Sequence, residues 1–194
     1  MKKIILTVAA VFAFGFANAQ ETKFGVKGGL NLANFSGDIE DGSTLAGLNI
    51  GVFAEIKLSD KFVFQPEVLF SGQGADSNEG SFNLNYINVP LMMKYYVADK
   101  FNFETGPQIG FLTSAKIKMD GVSIDSKRLF TSTDFGINFG AGYDFTQKFS
   151  AGVRYNLGVS NIFSDEFKEA LQQEVQEDIS VQNSVFSLSL AYKF

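Results

Sequence analysis

Apolar and polar residues alternate with a period of two along most of the chain, which is typical of strands with two different faces. In the run 48–58, Leu48, Ile50 and Val52 share one face, while Asn49 and Gly51 share the other. The same alternation marks eight runs, at 24–32, 48–58, 62–71, 87–97, 101–111, 134–145, 149–160 and 186–194. We therefore predict eight strands, most of them ten to fourteen residues long.

Short and long connections between these runs alternate. Three are tight turns, centred on Asp60, Asp99 and Gln147, and four are long and polar, at 36–45, 72–81, 115–131 and 161–183. An even number of strands with short turns at one end and long loops at the other is the layout of a membrane barrel. The pattern predicts an all-β fold, an eight-stranded antiparallel up-and-down transmembrane β-barrel with short periplasmic turns and long extracellular loops.

The short turns also predict the register of the strands. If Asp99 is the centre of its turn, Lys94 faces Glu104, so that a polar residue meets a polar one. The turn centred on Gln147 pairs Arg154 with Gly140 in the same way.

The charge on the two strand faces decides between a membrane barrel and its soluble alternatives. A soluble barrel would have an apolar interior and a charged exterior, but here the polar face carries few charges and the apolar face almost none. Aromatic residues also gather beside the short turns, as in an interfacial girdle. A β-sandwich core closed by the same aromatic residues is the alternative interpretation. The composition favours lipid around the apolar face.

Residues 1–19 have the pattern of a secretory signal peptide. Lys2 and Lys3 precede the apolar run 4–16, and Ala17-Asn18-Ala19 is a small-x-small cleavage site. The apolar run is too short for a spanning helix, which needs about 20 residues, although a short membrane anchor is the alternative. We expect cleavage after Ala19, which leaves residues 20–194 as the barrel domain.

Composition excludes several classes of function. The chain has no Cys, His or Trp, so it has no thiol or imidazole for nucleophile activation or a Cys/His zinc site. Its formal charge is −5, and the loss of two lysines with the signal peptide makes it −7, which argues against a nucleic-acid partner. We expect no enzyme activity, no cofactor and no resident metal.

Four segments carry a resemblance to a known family: 86–95, 104–112, 134–143 and 154–162. They are similar to the PorT-type, porin-like outer-membrane barrels of Bacteroidota. The terminal Tyr192-Lys193-Phe194 resembles the closing strand that the barrel-assembly machinery reads. The resemblance implies an outer-membrane location, outer-membrane lipid as surroundings and, for some members, a partner protein of a secretion system. It implies no catalytic residues.

The polar face should line the barrel interior, which eight strands leave just wide enough for side chains to fill. The charged side chains that we expect to form a polar network there are Glu55, Glu67, Lys94, Glu104, Asp134 and Arg154. Lys94 and Glu104 are the predicted ion pair. A polar plug that closes the barrel is the favoured interpretation, and the alternatives are a proton or ion path and a hydrolytic carboxylate pair of Glu67 and Glu104.

The long loops hold the candidate contact residues. The first carries Asp38, Glu40 and Asp41, which could bind divalent cations but more often form a solvated loop. The fourth holds a predicted helix, Asp165 to Glu177, with Ser164 as its N-cap and an apolar stripe that includes Phe167 and Leu171. We expect this stripe to dock on the barrel itself, with a surface partner as the alternative.

The sequence thus favours a non-catalytic outer-membrane barrel with a structural, surface-contact or secretion-accessory role. A narrow porin-like channel for small solutes or ions is the second hypothesis. A lipid-modifying enzyme is the third, and the absence of His counts against it.

Overall fold

The computed structural model describes residues 22–38, 43–77, 80–119, 122–169 and 180–194. The strands are β1 Thr22–Gly37, β2 Ser43–Lys57, β3 Phe62–Ser77, β4 Gly80–Ala98, β5 Phe101–Met119, β6 Val122–Asp125, β7 Thr133–Asp144, β8 Phe149–Gly158 and β9 Val181–Lys193. A 3-10 turn spans Lys127–Leu129, and residues 165–169 are helical. In the described part of the chain, no helix is long and apolar enough to cross a membrane. The predicted signal peptide lies outside the described residues.

Eight of the strands form a closed antiparallel barrel. The sheet order is β4-β3-β2-β1-β9-β8-β7-β5-β6, and an additional β4–β5 pairing closes it. The short β6 pairs with the outer end of β5 and lies outside the closed ring. Closure gives the barrel strands hydrogen-bonded neighbours on both sides, which a membrane interior requires.

The register follows the prediction made from the turns. Lys94 pairs with Glu104 between β4 and β5, and Arg154 pairs with Gly140 between β7 and β8. The polar and apolar faces therefore remain in phase across these strand pairs.

The predicted strand lengths and loops need correction. Strands β1 to β5 are 15 to 19 residues long, and β3 and β4 extend over most of the predicted loop 72–81. Likewise, β5 and β6 extend over much of the predicted loop 115–131. These polar ribbons continue the barrel sheet beyond the apolar zone, where the lipid no longer imposes an apolar outer face.

The apolar residues of the barrel wall point outward. Leu48, Ile50 and Leu190 are each more than 60% exposed, whereas Asn49 and Asn31 are buried inside. A soluble barrel would have the opposite arrangement. The outward apolar surface on β4 runs from Val97 to Ile87. The ten steps between these two residues span about 23 Å at about 3.3 Å per residue and a tilt of about 45°. That height matches the apolar band of about 25 Å in membrane barrels.

Aromatic rings line the end of the barrel that carries the short turns. Ring pairs, some between neighbouring strands and some two residues apart along the chain, have centroids 4.9 to 5.6 Å apart. They are Phe62–Tyr95, Phe101–Phe103, Tyr143–Phe145, Phe149–Tyr192 and Tyr192–Phe194. Such a ring of aromatic side chains is typical of the membrane–water interface.

Candidate functional site in the barrel lumen

The lumen contains two groups of paired charges. The first lies near the short turns, and we call it the turn-end ion cluster: Glu55, Lys94, Asp144 and Lys193. The Glu55 carboxylate forms ion pairs with Lys94 and Lys193, with N–O distances of 2.8 Å to Lys94 Nζ and 2.9 Å to Lys193 Nζ. Lys193 Nζ also lies 3.0 Å from Asp144 Oδ1, and the Tyr96 hydroxyl donates to Asp144 Oδ2 at 2.8 Å.

The second group lies deeper, and we call it the central ion cluster: Lys27, Glu67, Glu104 and Arg154. Arg154 donates two hydrogen bonds to Glu67, at 2.9 and 2.8 Å, and its Nε donates to Glu104 at 2.8 Å. Lys27 Nζ and Gln65 Nε2 donate to the same Glu67 carboxylate, at 3.3 and 2.6 Å. The guanidinium thus joins β8 to β3 and β5 across the barrel.

Each cluster has two cations and two carboxylates, so each is formally neutral. Neutrality matters because an unpaired buried charge costs several kcal/mol, whereas a fully paired cluster with satisfied hydrogen bonds is tolerated. Glu67 is 1% exposed and Glu104 7%, so neither depends on bulk water for compensation.

The predicted ion pair between Lys94 and Glu104 is wrong. The two residues are register partners, as predicted, but Lys94 binds Glu55 on β2 and Glu104 binds Arg154 on β8. In a narrow barrel, long side chains cross the lumen and meet charges from strands that are not their neighbours. The five network members Glu55, Glu67, Lys94, Glu104 and Arg154 are nonetheless all in the two clusters.

Asp134, the sixth predicted member, lies apart from both clusters. Its carboxylate accepts from Ser160 Oγ at 2.7 Å and from Asn183 Nδ2 at 3.0 Å, and Asn183 also approaches the Tyr86 hydroxyl at 3.4 Å. Among the described residues, no lysine or arginine forms an ion pair with Asp134. Hydrogen bonds from neutral groups hold this carboxylate.

Between Asp134 and the central ion cluster, amide side chains fill the lumen. Asn49 donates to Asn31 at 2.7 Å, and Asn156 donates to Asn138 at 3.1 Å. The cavity left among them is about 30 Å³, which is room for about one or two waters.

An apolar cap closes the lumen at the end with the longer connections. It consists of the buried residues Leu84, Tyr86, Leu112, Ala115, Phe130, Ile162, Phe163 and Val181. The Phe130 and Phe163 rings lie 5.6 Å apart, and their backbones form a bridge between two connecting segments. This cap does not follow from the strand alternation, because Phe130 and Phe163 come from the connections 115–131 and 161–183, which were predicted to be polar loops.

At the opposite end, an open vestibule of about 540 Å³ leads up to the turn-end ion cluster. Lysines and acids from the strand ends and turns line it, including Lys23, Lys100 and Asp99. Asp144 and Lys193 border the vestibule as well, and the sequence analysis did not single them out. Their position on the polar face of β7 and β9 was the available signal.

The loop residues are partly described. Asp38 Oδ2 accepts from the Ser180 backbone N–H at 2.7 Å, which ties the end of β1 to the start of β9. Ser164 caps the helical turn through Phe167, and the Phe167 ring packs 5.1 Å from Phe163 on the apolar cap. Glu40, Asp41 and Leu171 lie outside the described residues. Within the described ranges, no group of three or more acidic side chains is arranged to hold a metal ion.

Comparison with known proteins identifies the fold. Residues 16–164 match the model of the family described as "Outer membrane protein beta-barrel domain". The chain belongs to this family. No curated protein matches the chain.

Two solved structures give the scale of the similarity. Neisserial surface protein A is 17% identical, with 90% of this chain and 100% of that chain covered and a TM-score of 0.57. Ail, the attachment invasion locus protein of Yersinia pestis, is 14% identical, with the same coverage and a TM-score of 0.50. At these identities the likeness shows the fold alone: this is a closed eight-stranded outer-membrane barrel.

Proposed function

We propose that this protein is a non-conducting, non-catalytic outer-membrane barrel that contributes to envelope structure or to contacts at the cell surface. The observation that carries the proposal is the filled lumen. Two ion clusters, an amide layer with a cavity of about 30 Å³ and the apolar cap follow one another along the barrel axis.

The lumen chemistry also argues against hydrolysis by the carboxylates of Glu67 and Glu104. Both bind the same guanidinium, that of Arg154, at 2.8 Å. Both oxygens of Glu67 and one oxygen of Glu104 are occupied by hydrogen bonds from this guanidinium. The cavity beside them is too small for a sugar or a lipid.

A narrow channel for small solutes or ions is the second candidate, and the vestibule favours it. A charged opening of about 540 Å³ at the periplasmic end would concentrate ions at the turn-end ion cluster. Conduction would then require the Arg154 bridge, the amide layer and the apolar cap to move aside together.

Single-channel recording separates the two candidates. The refolded mature protein, checked for folding by heat-modifiable gel mobility, is inserted into planar bilayers, and an open porin is inserted under the same conditions as the control. We expect the protein to remain silent while the porin conducts. Regular conductance steps from the folded protein would overturn the closed-lumen proposal and favour the channel.

We extend the proposal to partners through the resemblance to PorT-type barrels of Bacteroidota, which supports a secretion-accessory role with a surface or secretion-system protein. We further propose that the barrel-assembly machinery recognises strand β9 through Phe194, which is 71% exposed. Phe194→Ala should lower the folded fraction in the outer membrane in cells, with refolding of the purified chain unchanged. Equal folded fractions in cells would contradict this recognition.

A further inference from the structure

At one height on β4 and β5, the inward face of the barrel wall changes from polar to apolar and the outward face changes from apolar to polar. On β4 the inward side changes from Asn88 to Tyr86 and Leu84, while the outward side changes from Ile87 to Asn85. A break in the β4–β5 register lies at the same place, between Asn85 and Tyr86. Polar residues leave the interior and appear on the exterior here, so this height is the outer edge of the apolar band.

Four cations gather just above that edge, and we call them the basic patch: Lys116, Lys118, Lys127 and Arg128. Lys116 and Lys118 alternate with the buried Ala115 and the half-buried Ile117, so they lie on the outward face of β5. All four cations are exposed. Among the described residues, no carboxylate forms an ion pair with any of them.

The inner edge of the patch lies at the height of the lipid headgroups. Lys127 Nζ donates to the Thr113 carbonyl at 3.1 Å, and Thr113 follows Phe111, the last outward apolar residue before the register break, by two positions, about 5 Å along the barrel axis. The polar layer on each side of the hydrocarbon core is about 5 to 8 Å thick. Lys116 and Lys118 lie about 12 and about 16 Å above Phe111, which is beyond that layer, and their long stems can bend the ammonium groups back towards it.

The patch is opposite in sign to the chain that carries it. Whereas the chain has a net charge of −5, the patch contains four cations, and Asp125 pairs in register with one of them, Lys116. An open cleft of about 640 Å³ beside Lys127 and Arg128 is also lined by Ile124 and Leu129. A surface with cations next to apolar side chains fits a molecule with an anionic head and an apolar body.

We propose that the basic patch binds the phosphate groups of outer-leaflet lipid. Lysine and arginine form charge-assisted hydrogen bonds with phosphate oxygens, and each cation near an anionic lipid surface strengthens binding about fivefold. The occupant is a phosphorylated lipid, because Lys116 and Lys118 lie on the outward face of β5 and Lys127 Nζ lies at the height of the headgroups. The proposal does not depend on whether the lumen conducts.

Binding of purified lipid A to the refolded mature protein in nanodiscs tests the proposal. The variant K116Q/K118Q/K127Q/R128Q removes the patch, and K23Q/K61Q/K100Q/K148Q removes the same charge from exposed positions at the periplasmic end. We expect the patch variant to bind bisphosphorylated lipid A at least tenfold more weakly than the unchanged protein, and the control variant to bind within twofold of it.

A second measurement uses the unchanged protein and does not depend on the folding of any variant. Its affinity for bisphosphorylated lipid A should exceed that for enzymatically dephosphorylated lipid A at least tenfold, and the difference should shrink as salt is raised. Equal affinity for the two lipids would overturn the proposal. So would equal losses in the patch and control variants. Neither result would bear on the conductance of the lumen.

Discussion

Arg154 is the cation on which the central ion cluster depends, and its removal gives the largest single effect that we predict. Arg154→Met keeps most of the side-chain volume but leaves Glu67 and Glu104 with Lys27 as the one remaining cation of the cluster. Loss of one partner from a buried ion pair costs about 3 to 5 kcal/mol. Because Arg154 binds two carboxylates through three hydrogen bonds, we expect the upper end, about 5 kcal/mol.

The free energy of unfolding is measured by urea titration in vesicles of fixed composition. The chain has no Trp, so the folded fraction is read from gel mobility without heating. Lys61→Met on an exposed turn is the control, and it should change the free energy by no more than about 0.5 kcal/mol. The double variant E67Q/R154M leaves Lys27 opposite Glu104 and should recover about 2 kcal/mol relative to R154M.

A loss below about 1 kcal/mol for R154M would refute this reasoning, because it would mean that water already solvates the carboxylates of the central ion cluster. A full loss with no recovery in the double variant would instead assign the effect to packing and not to charge.

Three further changes test other parts of the structure by the same unfolding assay. Gly74→Ala should destabilise the barrel by about 1 to 3 kcal/mol, since Gly74 has a φ of +131° and a Cβ there would meet the Phe82 carbonyl. The control is Gly152→Ala, whose Cβ would have its nearest contact at 3.4 Å. Equal losses of unfolding free energy in the two variants would contradict the prediction. Ser164→Ala removes the N-cap hydrogen bond and should lower the free energy of unfolding by about 1 kcal/mol. It should also increase proteolysis at the helical turn, and unchanged proteolysis would mean that the cap is dispensable. Asp134→Asn should cost less than Glu67→Gln, because Asp134 has no cationic partner among the described residues to leave unpaired; a larger cost for Asp134→Asn would overturn that ranking.

Strand number and register could be predicted from the sequence because both follow from the local alternation of apolar and polar positions. The tight turns fix which residues face each other, and one slip would move every apolar side chain to the wrong face. The pairings of Lys94 with Glu104 and of Arg154 with Gly140 follow from this rule alone.

The ion pairs could not be predicted in the same way. Lys94 and Glu55 are 39 residues apart, and Arg154 and Glu67 are 87 apart. Their meeting depends on barrel radius and strand tilt, which bring distant strands within the reach of a long side chain. The alternation along each strand shows that these side chains point into the lumen, but it does not show which opposite charge each one contacts.

The strand residues of the apolar cap and of the basic patch escaped prediction for one shared reason. The rule that apolar residues face outward holds only where lipid surrounds the wall. Above the level of Asn85 the sheet is in an aqueous and headgroup environment, so Leu84 turns its apolar side chain inward and Lys116 faces out, as in a soluble protein. The connections 72–81 and 115–131 looked like loops because their apolar side chains do not continue the outward apolar face of the strands below them. An exchange of roles between the two faces at a single height accounts for the extended strands, for Leu84 and for Lys116, whereas Phe130 and Phe163 lie outside the strands and do not follow from it.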